Sequence, residues 1–112
     1  MERNDADWRT PDTMELMAAI VRLGDPEDAS RFFRDLCTLG ELHDMAQRWA
    51  VVRLLDEGMH YGEISHRTGA STATITRIAQ WLHHGEGGYL QALDRLPNRK
   101  PAPTPSPAER IR

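Results

Sequence analysis

The side chains with the clearest capacity for chemistry lie in residues 71–80, where hydroxyl, methyl, guanidinium and carboxamide groups alternate with apolar residues. If a helix begins at Thr72, its polar face consists of Ser71, Thr72, Ala73, Thr76, Arg77 and Gln80. Hydroxyl groups and the first amides of a helix can bind phosphate, threonine and alanine methyl groups can contact thymine, and a guanidinium can bind guanine. His66 and Arg67 precede this helix and could add phosphate contacts. This face therefore predicts an interaction with the major groove of double-stranded DNA.

The surrounding residues predict a helix-turn-helix over residues 61–83, which would place the second helix in the groove. The first helix needs a small residue where the second helix crosses it, and Ser65 is at that position. Four residues later, Gly69 can adopt the positive φ angle of the turn without steric cost. The apolar residues expected to hold the two helices together are Ile64, Ala70, Ile75 and Ile78. The alternative is a purely structural helical hairpin, for which three threonines within residues 72–76 would be an unusual choice.

No other group of residues in the sequence predicts catalysis or a metal site. Adjacent His83 and His84 would point about 100° apart on a helix, so they are not expected to chelate one ion. Cys37 follows an apolar stretch and is expected to behave as a small buried hydrophobic residue. The glycine-rich residues 85–88 lack the lysine and the preceding strand of a phosphate-binding loop. We therefore expect no enzyme activity, no catalytic residues and no metal.

The composition is typical of one globular domain, with 112 residues of which 28% are charged and 39% apolar. The formal net charge of −3 is unevenly distributed, because residues 97–112 carry +3 and residues 1–96 therefore carry −6. An acidic body disfavours indiscriminate binding to nucleic acid and favours recognition of a specific site. No apolar run approaches the ~20 residues of a membrane span, and the N-terminus has no secretory signal. A cytoplasmic protein without membrane contact is expected.

Apolar spacing and capping signals predict an all-α fold of six helices without strands. The predicted helices run from Thr10 or Thr13 to Gly24, from Asp25 to Cys37, and over residues 41–57, 61–68, 72–84 and 89–96. Residues 1–11 are predicted to be flexible and residues 12–96 to form the helical domain. Residues 97–112 contain five prolines in sixteen residues and are predicted to be a disordered basic tail.

The residues from Thr38 to Leu93 resemble the Trp repressor superfamily, and within it the YerC/YecD-type branch of DNA-binding regulators. The resemblance is carried by the runs CTLGELHDMAQRW, GMHYGEISHRTGASTATITR and HHGEGGY, of which GASTATITR is the most specific. It implies six helices per subunit and an intertwined homodimer, whose two helix-turn-helices face successive major grooves. Symmetric recognition helices imply a palindromic site with half-sites about 34 Å apart.

The resemblance also implies a ligand pocket, but one that does not suit L-tryptophan. In the Trp repressor the indole lies between two arginines, which Arg48 and Arg77 match, and Thr38 matches a threonine near that pocket. The position after the second arginine is glycine in the repressor and Ile78 here, and a pocket serine is replaced by Trp81. Both replacements add volume where the indole would lie, so we expect no tryptophan cofactor, and the sequence identifies no other effector.

Together these features predict a sequence-specific transcriptional regulator, acting as a repressor, that binds DNA as a dimer without tryptophan. The alternative is a protein-interaction or antitoxin-like module in which DNA binding is secondary and the basic tail contributes to the contact.

Overall fold

The computed structural model describes residues 7–99, which form six α-helices and contain no strand. The helices are α1 (Pro11–Val21), α2 (Pro26–Leu36), α3 (Leu39–Asp56), α4 (Tyr61–Thr68), α5 (Thr72–His84) and α6 (Gly88–Asp94). The predicted all-α fold is confirmed, and every helix lies within a few residues of its predicted position. None of the helices in the described part of the chain is long and apolar enough to cross a membrane.

Local capping groups determine where the first three helices begin. The Thr10 hydroxyl accepts a hydrogen bond from the Thr13 amide, and the Asp25 carboxylate accepts one from the Asp28 amide; a proline opens each of these helices. Thr38 and Glu41 form a reciprocal capping box, in which each side chain accepts from the amide of the other. Because this box begins α3 at Leu39, the helix starts two residues before the predicted position.

The chain divides into two compact units, of which the first ends at Leu42. In its described residues, α1 and α2 contain no buried residue. The large apolar side chains that remain exposed in this unit are Trp8, Met14, Met17, Val21, Leu36 and Leu39. The N-terminal unit therefore presents apolar surface to solvent instead of enclosing it in a core of its own.

The second unit begins at His43 and contains a well-formed hydrophobic core. Its buried apolar residues are Val51, Val52, Ile64, Ala70, Ile75, Ile78, Ala79, Leu82 and Leu93. These residues come from α3, α4, α5, α6 and the turn between α4 and α5. The rings of Trp49 and Tyr89 lie 6.4 Å apart between centroids and pack α3 against α6 at the edge of this core.

Arg99 lies beyond residue 96, the predicted C-terminal end of the helical domain, but it contacts the folded part of the chain. The Arg99 guanidinium donates two hydrogen bonds to the Asp56 carboxylate, at 3.0 Å from Nε and 2.8 Å from Nη2, and also binds Asp94. The folded part therefore extends past Leu96, because this arginine joins the end of α3 to the end of α6. The rest of the predicted tail, from residue 100 onward, lies outside the described residues, as do residues 1–6.

Candidate nucleic-acid interface

The turn between α4 and α5 has the geometry that a helix-turn-helix requires. Gly69 ends α4 with a φ of 80°, in the left-handed region where a residue with a Cβ is strained. The Thr68 hydroxyl donates to the Ile64 carbonyl at 2.8 Å and accepts from the Ala70 amide at 3.1 Å. The polar backbone groups of the turn are thus satisfied locally, so that Ala70 can enter the core.

A side chain from α3 supports the same turn. Gln47 Nε2 donates a hydrogen bond to the Thr68 carbonyl at 3.1 Å, which satisfies one of the free carbonyls at the end of α4. Sequence analysis did not assign this role to Gln47, because the two residues are 21 positions apart and no local spacing connects them. Gln47 is therefore a positioning residue for the helix-turn-helix.

The helix α5 presents one apolar face to the core and one polar face to solvent. Ile75, Ile78, Ala79 and Leu82 form the buried face. The residues predicted to contact DNA from this helix are all exposed, namely Ser71, Thr72, Ala73, Thr76, Arg77 and Gln80. The same stretch that holds the core together thus leaves its hydroxyl, methyl, guanidinium and carboxamide groups accessible to a partner.

Hydrogen bonds at the start of α5 hold several of these hydroxyl groups in place. Ser71 is the N-cap and accepts from the Thr74 amide at 3.1 Å, while its hydroxyl lies 3.0 Å from that of Thr74. The Thr76 hydroxyl donates to the Thr72 carbonyl at 2.9 Å. The hydroxyl donors of Ser71 and Thr76 are therefore already engaged within α5, a restriction that the sequence analysis did not consider.

The helix α4 adds basic side chains beside this face. His66 and Arg67 are both exposed in its last turn, and Arg67 Nη1 lies 3.9 Å from the Met59 sulfur. A sulfur atom is a weak acceptor that leaves most of the five guanidinium donors accessible. These two residues lie where contacts to the DNA backbone were predicted from the sequence.

The residues of the predicted ligand pocket have different environments. Thr38 caps α3 in the N-terminal unit, Arg48 is exposed on α3, and Arg77 is exposed on the recognition face. Ile78 is only 4% exposed and belongs to the hydrophobic core, while Trp81 is half-buried. Ile78 therefore occupies core volume directly beside the exposed Arg77.

The histidines do not form a metal centre within residues 7–99, where no three histidine, cysteine, aspartate or glutamate side chains come together. The rings of His83 and His84 lie 6.4 Å apart at the end of α5. Both are exposed in the last helical turn, where a histidine side chain can interact favourably with the helix dipole.

Comparisons with known proteins identify the family to which this chain belongs. Residues 12–97 match the family described as Trp repressor protein. The uncharacterised protein YerC of Bacillus subtilis is 48% identical over 82 residues, which are 73% of this chain and 79% of YerC. A Trp operon repressor homolog of Chlamydia caviae is 35% identical over 100 residues, covering 88% of this chain and 93% of the homolog.

The fold is also similar to that of a solved structure. The crystal structure of a TrpR-like protein from Eubacterium eligens superimposes with a TM-score of 0.77 at 38% sequence identity. The match covers 82% of this chain and 95% of that protein. The family match includes the whole helix-turn-helix, because residues 61–84 lie inside the matched range of residues 12–97.

Proposed function

The chain belongs to the Trp repressor family of DNA-binding regulators, and we propose that it is a repressor that binds a palindromic DNA site as a homodimer without L-tryptophan. The observation that carries the proposal is that α5 has one face buried in the core and one face exposed to solvent. Ile75 and Ile78 anchor this helix in the core, while Thr76, Arg77 and Gln80 remain exposed beside them. A helix that is held rigidly and exposes guanidinium, carboxamide and methyl groups suits the major groove.

The exposed apolar surface of the N-terminal unit supports the homodimer. Six of the seven large apolar side chains that stay most exposed in the described residues belong to this unit. Met14, Met17 and Val21 recur at helical spacing along one face of α1, and Val21 is 79% exposed. A second copy of the chain would remove this surface from water and bring two recognition helices together under twofold symmetry.

The residues beside Arg77 support independence from L-tryptophan. The side chain of Ile78 is buried and Trp81 is half-buried, at positions where the resemblance implies glycine and serine around the indole. A tryptophan ligand at this position would have to displace the Ile78 side chain from the core, which a close-packed interior resists. The proposal therefore includes a dimer that binds DNA without this corepressor.

Selection of DNA from a random pool, with and without L-tryptophan, tests the proposal directly. We expect one palindromic sequence to be enriched equally in both conditions. The logarithm of its binding constant should fall linearly with the logarithm of the salt concentration. Enrichment that requires tryptophan, or micromolar binding of tryptophan in calorimetry, would contradict tryptophan independence. A chain that selects no sequence at any salt concentration would instead favour the protein-interaction or antitoxin-like alternative.

Substitution of Arg77 tests the recognition face. Arg77→Ala should weaken binding to the selected site by about 1–3 kcal/mol, because it removes a contact to guanine or phosphate. Arg95→Ala is the matched control, since Arg95 is also exposed but follows α6. Equal affinities of the wild type and Arg77→Ala at physiological salt would show that this face does not contact DNA.

A further inference from the structure

On Thr76 of the recognition face, the structure leaves the methyl group free for a specific contact but not the hydroxyl proton. Thr76 has one hydroxyl proton, and it is donated to the Thr72 carbonyl at 2.9 Å. Because phosphate oxygens only accept hydrogen bonds, Thr76 cannot bind phosphate without breaking this bond. What it presents without such a cost is its methyl group and the acceptor lone pairs of its oxygen.

A second methyl group lies next to it on the same face. Ala73 and Thr76 are three residues apart on α5, so their side chains are neighbours on the helix surface, and both are exposed. Arg77 and Gln80 follow on the same side with longer polar side chains. The face therefore consists of a small apolar area, formed by Ala73 and Thr76, next to two hydrogen-bonding side chains.

Only one base-pair feature in the major groove matches a small apolar area. The C5-methyl group of thymine is the only methyl group there, whereas the C5–H of cytosine offers a smaller apolar contact and the donors and acceptors of the base edges lose hydrogen bonds to water against a methyl group. Ser71 cannot supply an alternative polar contact cheaply, since its hydroxyl accepts from the Thr74 amide and donates to the Thr74 hydroxyl.

We infer that Ala73 and Thr76 are specificity-determining residues that recognise thymine through its C5-methyl group. This inference rests on the proposed function, because it specifies which base the same recognition helix selects. Removal of one buried methyl group corresponds to about a fourfold loss of affinity. In a dimer on a palindromic site, the loss is expected once in each half-site.

The test uses the DNA sequence that the full-length protein selects, with each thymine replaced in turn by deoxyuridine. This replacement removes only the C5-methyl group and keeps the Watson–Crick pairing. We expect each replacement to weaken the affinity about fourfold at one thymine in each half-site, the two being related by symmetry. Replacement of thymines elsewhere in the site should leave the affinity unchanged.

Two variants of Thr76 separate the methyl contact from a contact of the hydroxyl oxygen. Thr76→Ser keeps the hydroxyl and its bond to the Thr72 carbonyl but removes the methyl group, so its preference for thymine over deoxyuridine should fall to the part that Ala73 contributes. Thr76→Val keeps a methyl group and removes the hydroxyl, so it should still prefer thymine. The reverse pattern, with a preference kept by serine and lost with valine, would identify a hydrogen bond to the oxygen and overturn the inference.

The remaining outcomes are also decisive. A selected site in which every deoxyuridine replacement is neutral, or which has no thymine in its half-sites, overturns this inference alone. A random pool that yields no enriched sequence overturns the proposed function and the thymine contact with it. Circular dichroism of both variants, compared with the wild type, verifies that changes in affinity arise at the recognition face and not from unfolding.

Discussion

The two units of this chain differ in where their apolar side chains lie. In the C-terminal unit, α3 to α6 enclose nine buried residues around the helix-turn-helix. In the N-terminal unit, α1 and α2 have regular caps and helical apolar spacing, yet they contain no buried residue. The same local signals therefore produce helices in both units, but only the second unit encloses a core.

The proposed homodimer gives this difference a physical reason. A helix of about eleven residues is marginal in water unless one of its faces is packed, and both α1 and α2 have this length. We therefore expect the C-terminal unit to be stabilised mainly by its own core and the N-terminal unit mainly by association with a second copy. The following predictions test this contrast.

The largest effect should follow from truncating the core of the C-terminal unit. Ile75→Ala should lower the free energy of unfolding by about 2–5 kcal/mol, because the fully buried side chain leaves a cavity under the recognition helix. Leu90→Ala is the control, since Leu90 lies in the same unit but is 43% exposed and should cost much less. Denaturant unfolding measures both losses, and equal values would contradict a self-sufficient core.

A charge on the exposed face of α1 should weaken the association of two chains, in contrast to the Ile75 truncation, which lowers the stability of the core. Val21→Glu should weaken the dimer at least about tenfold, because the charge would have to be buried against the partner. Glu15→Lys also changes charge on α1 but lies away from the face formed by Met14, Met17 and Val21. Analytical ultracentrifugation at several concentrations measures the effect, and a dimer unchanged by Val21→Glu would place the interface elsewhere.

A smaller effect is expected at the junction of α3, α6 and the C-terminal segment. Arg99→Met should lower the thermal midpoint less than Ile75→Ala does, because it removes the two hydrogen bonds to Asp56 while keeping an apolar stem. The bond to Asp56 also raises the pKa of Arg99 above its usual value, so the guanidinium stays protonated throughout the accessible pH range. A midpoint that falls equally for Arg95→Met would show that the contact with Asp56 does not stabilise the fold.

The smallest effect should come from the capping box in the N-terminal unit. The Thr38 amide and hydroxyl hold the pKa of Glu41 below its ordinary value of 4.5, so the carboxylate stabilises α3 fully above that ordinary value and loses this contribution as the pH falls through the lowered pKa. Glu41→Gln should therefore reduce stability slightly at neutral pH and leave it unchanged in acid. Unfolding curves at both pH values measure this, and a pH-independent difference would argue against the ionised cap.

Much of the fold and of the candidate site could be predicted from the sequence, because the relevant signals are local. Pro26 after Asp25 and Gly69 four residues after Ser65 define helix ends through backbone geometry alone. The burial of Ile64, Ala70, Ile75 and Ile78 likewise follows from helical spacing, and the structure confirms it.

The contacts that sequence analysis did not find join residues far apart in the chain. Gln47 binds the carbonyl of Thr68, 21 residues away, and Arg99 binds Asp56, 43 residues away. Neither pairing has a periodic or capping pattern, since each depends on how α3 packs beside α4 and α6. The composition of residues 97–112 even predicted that Arg99 would lie in the tail.

The helix-turn-helix, its turn glycine and its exposed polar face were determined by the sequence itself, because caps, turns and amphipathic spacing act over three or four residues. The tertiary structure alone decided the contacts between residues far apart in the chain, such as the bond from Gln47 to the Thr68 carbonyl. It also decided that Met14, Met17 and Val21 of α1 and Leu36 of α2 stay exposed. The physical reason is that hydrogen-bond partners and burial depend on which surfaces meet, and residue spacing along a single helix does not specify its neighbours.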